Sequence, residues 1–178
     1  MSISHPKVRE HAERVAFLAE AVAFRMKKDA KAAFFAGLLH DAGKASIPNH
    51  LFDGRNITEE EYAEVKKHSI AGFMALKDKH LFTAYCAGFH HALNTKGYGL
   101  TLKDFPENWE IQTVKKVLEI SMIIAICDYI DAARTRDGVM KSEANGSGSS
   151  LKERLEKKFP DDLEVVRIAL GEAAKIIK

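Results

Sequence analysis

At 178 residues with 46% apolar content, the chain suits one domain with a sizeable core. Its 27 basic residues face 25 acidic ones, a formal charge of +2, too even a balance to hold a nucleic acid by charge alone. The opening Ser2-Ile3-Ser4-His5-Pro6 turns charged at once, unlike a signal peptide. The apolar run around Met122 to Cys127 is far short of a bilayer span. Cys86 and Cys127 lie inside apolar segments, as reduced core thiols do. The expectation is a soluble cytoplasmic protein with no membrane partner.

Ser4 and Pro6 read as an N-cap and an early-turn proline, opening a helix to about Lys28. Its apolar stripe steps Val8, His11, Val15, Leu18, Val22, which puts His11 on the buried face. Asp29 is placed to cap the next helix, from Ala30 to Gly43. On it Ala33, Gly37, His40, Asp41 and Lys44 share one side, and Gly37 permits close approach of a neighbour. Ile47-Pro48 breaks that helix, and Asn49 to Phe52 is at most a short helical turn before Asp53-Gly54. Thr58 followed by Glu61 is a capping-box pattern, so a helix starts near Glu59 and carries His68. A second segment, Ser69 to Lys77, follows after a bend. Leu81 to His91 reads as a helix ending in the histidine pair. Asn94 to Leu100 is a loop around Gly97-Tyr98-Gly99, and the stretch on to Trp109 is irregular.

Ile111 to about Arg134 is the most apolar helix. Val117, Ile120, Ile124, Asp128 and Ala132 trace one face of it, so Asp128 stands where an aliphatic residue is expected. Past Arg136-Asp137-Gly138 and a flexible segment from Asn145 to Ser150, amphipathic helices near Leu151 to Phe159 and Asp161 to Ile177 close the chain. The basic run Lys152, Arg154, Lys157, Lys158 reads as the wet face of the first. There is no useful run of β alternation and no internal repeat. The expected fold is all-α: one domain, its core over about residues 5–136, with C-terminal helices over 150–178 packed on it.

The polar residues on apolar faces or at helix ends are His11, His40, Asp41, His68, His90, His91 and Asp128. Burying a carboxylate is costly unless hydrogen bonds, a cation or a metal compensate it. Imidazole and carboxylate suit first-row divalent ions, and the lack of a cysteine cluster argues against structural zinc. Seven such groups are too many for one metal with open positions. They fit two metals about 3.5–4 Å apart, which share a hydroxide and clamp the oxygens of a phosphoester. Lys44, one turn beyond His40, is placed to hold a substrate phosphate. Each residue also has an innocent reading. His11 and His68 can be hydrogen-bonded core histidines, His40-Asp41 a helix C-cap, His90-His91 a dipole complement, and Asp128 the partner of a nearby cation. All of those must hold at once, so the joint reading as a metal site is preferred. His5, His50 and His80 fit no part of the pattern and read as solvated. Arg134 and Arg136, just past Asp128, are candidates to reach a phosphate.

The order His11, His40-Asp41 and later Asp128 resembles the HD-domain superfamily of metal-dependent phosphohydrolases. The text HDAGKASIPNHLF from His40, then NITEEEYAEVKKHSIAG ending at Gly72, is similar to the HD-GYP subfamily almost residue by residue. HAERVA at His11 and CDYIDAARTR from Cys127 extend the likeness over about His11 to Arg136. The resemblance implies that His11, His40, Asp41 and Asp128 hold one metal. It implies that Asp41 bridges to a second, completed by His68, His90 and His91. By the same resemblance a bridging hydroxide is the nucleophile and Lys44 meets the substrate phosphate, which makes Asp41 and Lys44 the implied catalytic residues. The family's metals are usually iron or manganese, with magnesium, cobalt, nickel or zinc as further options. Its substrates include cyclic dinucleotides, chiefly cyclic di-GMP.

Where the subfamily has a Glu after the histidine pair, then Asp-Gly and Gly-Tyr-Pro, this chain reads HHALNTKGYG. Ala92 replaces the Glu, the loop is shorter by one residue, and Gly99 replaces the Pro. None of these changes touches a ligand; they bear on which substrate is confined. Tyr98 and Arg134 are candidate substrate-binding residues, although Gly97-Tyr98-Gly99 also reads as an ordinary turn. The leading expectation is a phosphodiesterase or phosphohydrolase acting on a nucleotide or cyclic dinucleotide. Its rivals are a single-strand nuclease, a di-iron oxygenase and a catalytically degenerate sensor module.

Overall fold

The computed structural model describes residues 6–52, 55–135 and 149–176. Helix α1, Pro6–Arg25, buries Val15, Leu18, Ala19 and Val22, as its apolar spacing requires. Helix α2, Ala30–Leu39, is capped by Asp29, whose carboxylate accepts from the Ala32 N–H at 2.9 Å. It stops four residues before the expected Gly43. Beyond His40 the chain tightens into a 3-10 turn, Ala42–Ser46. That turn packs on a later helix so closely that a Cβ on Gly43 would stand 1.9 Å from the His68 carbonyl oxygen. A second 3-10 turn, Asn49–Phe52, follows Pro48.

Helix α3, Glu59–Lys66, opens on the expected capping box of Thr58 and Glu61. Helix α4, His68–Leu76, begins at His68, so that histidine heads the second helix instead of riding on the first. Helix α5, Leu81–Phe89, is capped by His80, which is exposed as expected but also accepts from the Thr83 N–H through Nδ1. His50 is exposed. Helix α6, Ile111–Thr135, is apolar nearly all round and runs through the core. Helix α7, Leu151–Lys158, starts at a capping box of Ser150 and Glu153, and helix α8, Leu163–Ile176, ends the described chain. Ser4, His5, Asp53-Gly54, Arg136 and the segment 137–148 lie outside the described residues.

Helix α6 packs against α1, α2, α5, α7 and α8, and α1 against α2 and α8. Ile120, Ile124, Ile126 and Ile130 meet Leu18, Val22, Phe89, Leu155 and Phe159 in one core, and burying each such side chain is worth about 1.5–3 kcal/mol. Gly37 lets α2 approach α1: a Cβ there would lie 3.0 Å from the Ala16 Cα. The irregular stretch before α6 is pinned by rings. Phe105 stacks on Tyr85 and Phe89 at 4.9 and 4.8 Å, and the Tyr85 hydroxyl donates to the Asp104 carbonyl. Cys86 and Cys127 are buried free thiols, with burial pushing Cys86 up to about 12. The fold is all-α, with no strand among the described residues. None of its described helices is long and apolar enough to cross a membrane.

Candidate metal centre

The ends of α2 and α5 and the start of α4 converge beside the flanks of α1 and α6, and each contributes imidazole or carboxylate. His40 Nδ1 lies 2.7 Å from the Gly37 carbonyl, His68 Nδ1 2.6 Å from that of Val65, and His90 Nδ1 2.7 Å from that of Ala87. Those carbonyls belong to the last turns of α2, α3 and α5, where the regular helical bonding runs out; that of Val65 also accepts from the Lys67 N–H. A carbonyl only accepts, so each ring carries its proton on Nδ1 and, when neutral, presents Nε2 as a bare lone pair. These histidines therefore each bond to the helix turn just before them and aim Nε2 at the centre at the same time.

His11 sits in mid-helix, where no carbonyl is free. Its Nδ1 instead meets Asp131 Oδ2 at 2.7 Å, and Arg14 grips the same carboxylate through Nε at 2.6 Å and Nη2 at 3.0 Å. Asp131 is fully buried. Sequence reasoning missed it, although its place three residues past Asp128 on an apolar helix was a usable signal. Burial disfavours the charged form of His11, yet hydrogen bonds to Asp128 and Asp131 outweigh it and raise the ring to about 9.

Asp41 is the hub. Its Oδ2 lies 3.6 Å from His11 Nε2 and 3.3 Å from His40 Nε2; its Oδ1 lies 3.3 Å from His68 Nε2 and 3.9 Å from His90 Nε2. One oxygen thus faces one pair of imidazoles and the other faces a second pair. Lys44, expected at a substrate phosphate, donates to Asp41 Oδ2 while also lining the cleft. Asp128 Oδ1 is 3.1 Å from His11 Nε2, and its Oδ2 is 3.9 Å from His91 Nδ1. Burial works against charge on both acids. The fields of His40 and Lys44 nevertheless hold Asp41 well below the usual carboxylate range, and His11 holds Asp128 there. Burial pulls His90 well below its ordinary value and His91 to about 4. At neutral pH the acids are charged and these two rings neutral, the states that ligate metals.

The donor atoms of three groups each lie within 4.8 Å of one another: His11, His40 and Asp41; His68, His90 and His91; His40, His90 and Asp128. His40 Nε2 and Asp41 Oδ1 are buried without a hydrogen-bond partner. His68 Nε2 and His90 Nε2 face each other at 3.4 Å with both Nδ1 positions given to carbonyls, so the two nitrogens are kept from clashing by a shared proton or by a metal cation between them. The nitrogen and oxygen donors present fit divalent ions.

A cleft of about 530 Å³ opens over the centre. Tyr62 and Lys66 of α3 line it, as does Tyr98 from the loop after α5, with its ring 4.7 Å from that of His91. Burial pushes the Tyr98 hydroxyl up, which keeps it protonated. Gly99 holds that loop at φ 121, a conformation closed to proline. Tyr129 of α6 and Arg154 and Lys158 of α7 also line the cleft. The expected wet face of α7 is divided: Lys152 and Lys157 are exposed, whereas Arg154 and Lys158 are half-buried. Arg134, expected near a phosphate, donates to the Ala173 carbonyl at 2.6 Å and ties α6 to α8.

In fold the chain is similar to the crystal structure of the HD domain of the L. monocytogenes phosphodiesterase PgpH. The TM-score is 0.61 at 20% identity, over 99% of this chain and 96% of that one. The same PgpH domain in complex with cyclic-di-AMP gives 0.58 at 19% identity, over 99% and 94%. No curated protein matches the chain. The signature of the HD domain matches residues 8–133, a span that contains every histidine and aspartate of this centre, and the chain therefore belongs to the HD domain family.

Proposed function

We propose that the chain is a metal-dependent phosphohydrolase, specifically a phosphodiesterase acting on a nucleotide or cyclic dinucleotide. The observation that carries this reading is Asp41, each of whose oxygens faces its own pair of imidazole Nε2 atoms. His11, His40, Asp41 and Asp128 would hold one ion, and Asp41 with His68, His90 and His91 the other. Iron and manganese suit that oxygen and nitrogen set. Divalent ions bound there supply Lewis acidity toward a phosphoester at neutral pH.

The chain's own residues do the rest. The Lys44 ammonium, beside Asp41 in the cleft, offers its remaining donors to an anionic phosphate oxygen. Tyr62 and Tyr98 provide faces on which a base can stack. The protonated Tyr98 hydroxyl is a donor toward a ribose or base edge. Cytoplasmic nucleotides agree with two cysteines kept as free thiols.

The likeness of His40 to Gly72 to the HD-GYP subfamily supports a cyclic dinucleotide. The Gly99 conformation gives a confining loop unlike one that ends in Tyr-Pro. Cyclic di-GMP and cyclic-di-AMP, the ligand in the PgpH complex, therefore both enter the test. Manganese- or iron-loaded protein is expected to cleave a generic phosphodiester and at least one cyclic dinucleotide, and Asp41→Ala to abolish both activities. Metal-replete protein inert toward generic phosphodiesters, both cyclic dinucleotides and common nucleotides would refute the reading.

A further inference from the structure

Arg154 and Lys158 are four residues apart on α7 and line the cleft that contains His90, His91 and Asp128. Their orientation is fixed by packing. Leu155 on the same helix and Phe159 just beyond it are buried in the core formed with α6 and α8. That anchoring turns positions 154 and 158 inward and leaves Lys152 and Lys157 exposed.

Lys158 is the telling member. It is half-buried, its Nζ lies 5.4 Å from the centre of the Tyr129 ring, and no described carboxylate comes within 4.0 Å of it. Asp128, the acid whose field it feels, is engaged by His11. Lys158 has no counter-ion among the described residues, and an ammonium half-buried beside a cleft is suited to take its counter-charge from an anionic ligand. Lys44, by contrast, already has Asp41.

We propose that Arg154 and Lys158 form a second phosphate subsite, separate from the reacting phosphate at Asp41 and Lys44. The cleft then selects dinucleotides with two phosphate groups over diesters with one. This inference rests on the phosphohydrolase reading and deepens it. The aromatic ring of Tyr129 under Lys158 adds a surface on which the intervening nucleoside can pack.

The dinucleotides ApA and pApA share both bases and the internal linkage, and differ by one 5′-phosphate. Their hydrolysis-resistant phosphorothioate forms, titrated calorimetrically into manganese-loaded protein, isolate the second subsite. Wild type is expected to bind pApA about tenfold or more tightly than ApA, the range of a charge-assisted contact. In Lys158→Met and Arg154→Gln the affinity for ApA stays, and the preference for pApA shrinks toward one. Lys158→Arg keeps the preference. Equal binding of the two ligands by wild type overturns the proposal and needs no variant; so does a preference that survives both substitutions.

Turnover of ordinary pApA and ApA separates this idea from the one beneath it. The variants should raise the KM for pApA and leave its kcat unchanged. Wild type that prefers pApA in binding yet cleaves neither compound sinks the hydrolase and keeps the subsite. Wild type that cleaves both with the same KM keeps the hydrolase and sinks the subsite.

Discussion

His11 and Asp131 stand 120 residues apart in the sequence, and their Nδ1 and Oδ2 atoms are 2.7 Å apart in space. The contact joins α1 to α6, and Arg14 shares it by gripping both oxygens of the same carboxylate. Three other rings at the centre are oriented by the helix turn just before them; His11 depends on a distant acid, which keeps the proton on Nδ1 when the ring is neutral.

Asp131→Ala should therefore weaken metal binding about 10- to 100-fold without removing a ligand. Competition for manganese against a fluorescent chelator measures it, with a thermal melt to confirm folding. Unchanged affinity in a folded variant would mean that Asp131 does not position His11.

Metal loading should stabilise the fold, because donors from α1, the end of α2, α4, the end of α5 and α6 meet at one point. At a free metal concentration a hundred times Kd the gain is about 2.7 kcal/mol. Melting with manganese and with chelator reads it directly, and Asp41→Ala should erase the difference. A melting point indifferent to metal would contradict the centre.

Gly43 and Gly171 make a contrasting pair. A Cβ on Gly43 would stand 1.9 Å from the His68 carbonyl oxygen and 2.4 Å from the Gly72 nitrogen, both backbone atoms, whereas Gly171 has nothing within 4 Å. Gly43→Ala should cost more than about 3 kcal/mol, at the severe end for single substitutions, and displace His68 from the centre. Gly171→Ala, inside α8, should stabilise by about 0.5–1 kcal/mol. Urea unfolding of both variants is the check, and similar midpoints for the two would contradict the packing.

The start of α3 should be sensitive to acid. Arg55 binds the Glu61 carboxylate at 3.0 and 2.5 Å, and with the Thr58 N–H it lowers the group from 4.5 to about 2. A depressed carboxylate stabilises the fold above its unfolded value, and that help fades as pH falls from about 4.5 toward 2. Amide protection across α3, taken relative to the intrinsic exchange rate at each pH and followed by NMR from pH 5 down to 2, should fall in that window. In Glu61→Gln the α3 amides should exchange faster already at pH 5, without the acid step.

Much of this molecule was legible in the chain. Apolar stripes marked α1 and α6, and the caps at Asp29 and Thr58 set the starts of α2 and α3. His40, Asp41, His68, His90, His91, His11 and Asp128 do converge. What periodicity hid were breaks that no glycine or proline announces. Side-chain spacing reads through His40 to Gly43 and through Lys67 to His68, yet tertiary contact between the 3-10 turn and α4 ends one helix and restarts another. The facing of α7 was also hidden: spacing shows that Arg154 and Lys158 share a side, but only the burial of Leu155 and Phe159 turns that side to the cleft. Arg134 is the converse, close to Asp128 in sequence and tied to the Ala173 carbonyl.

The carbonyl latches on His40, His68 and His90 bear on how the centre assembles. Each of these rings is set by the helix turn just before it, so each segment arrives at collapse with its nitrogen already pointed, and docking the segments completes that part of the cage without a search among rotamers. His11 is the exception: its ring is held only where α1 seats on α6, so the first donor in the chain depends on an acid 120 residues further on.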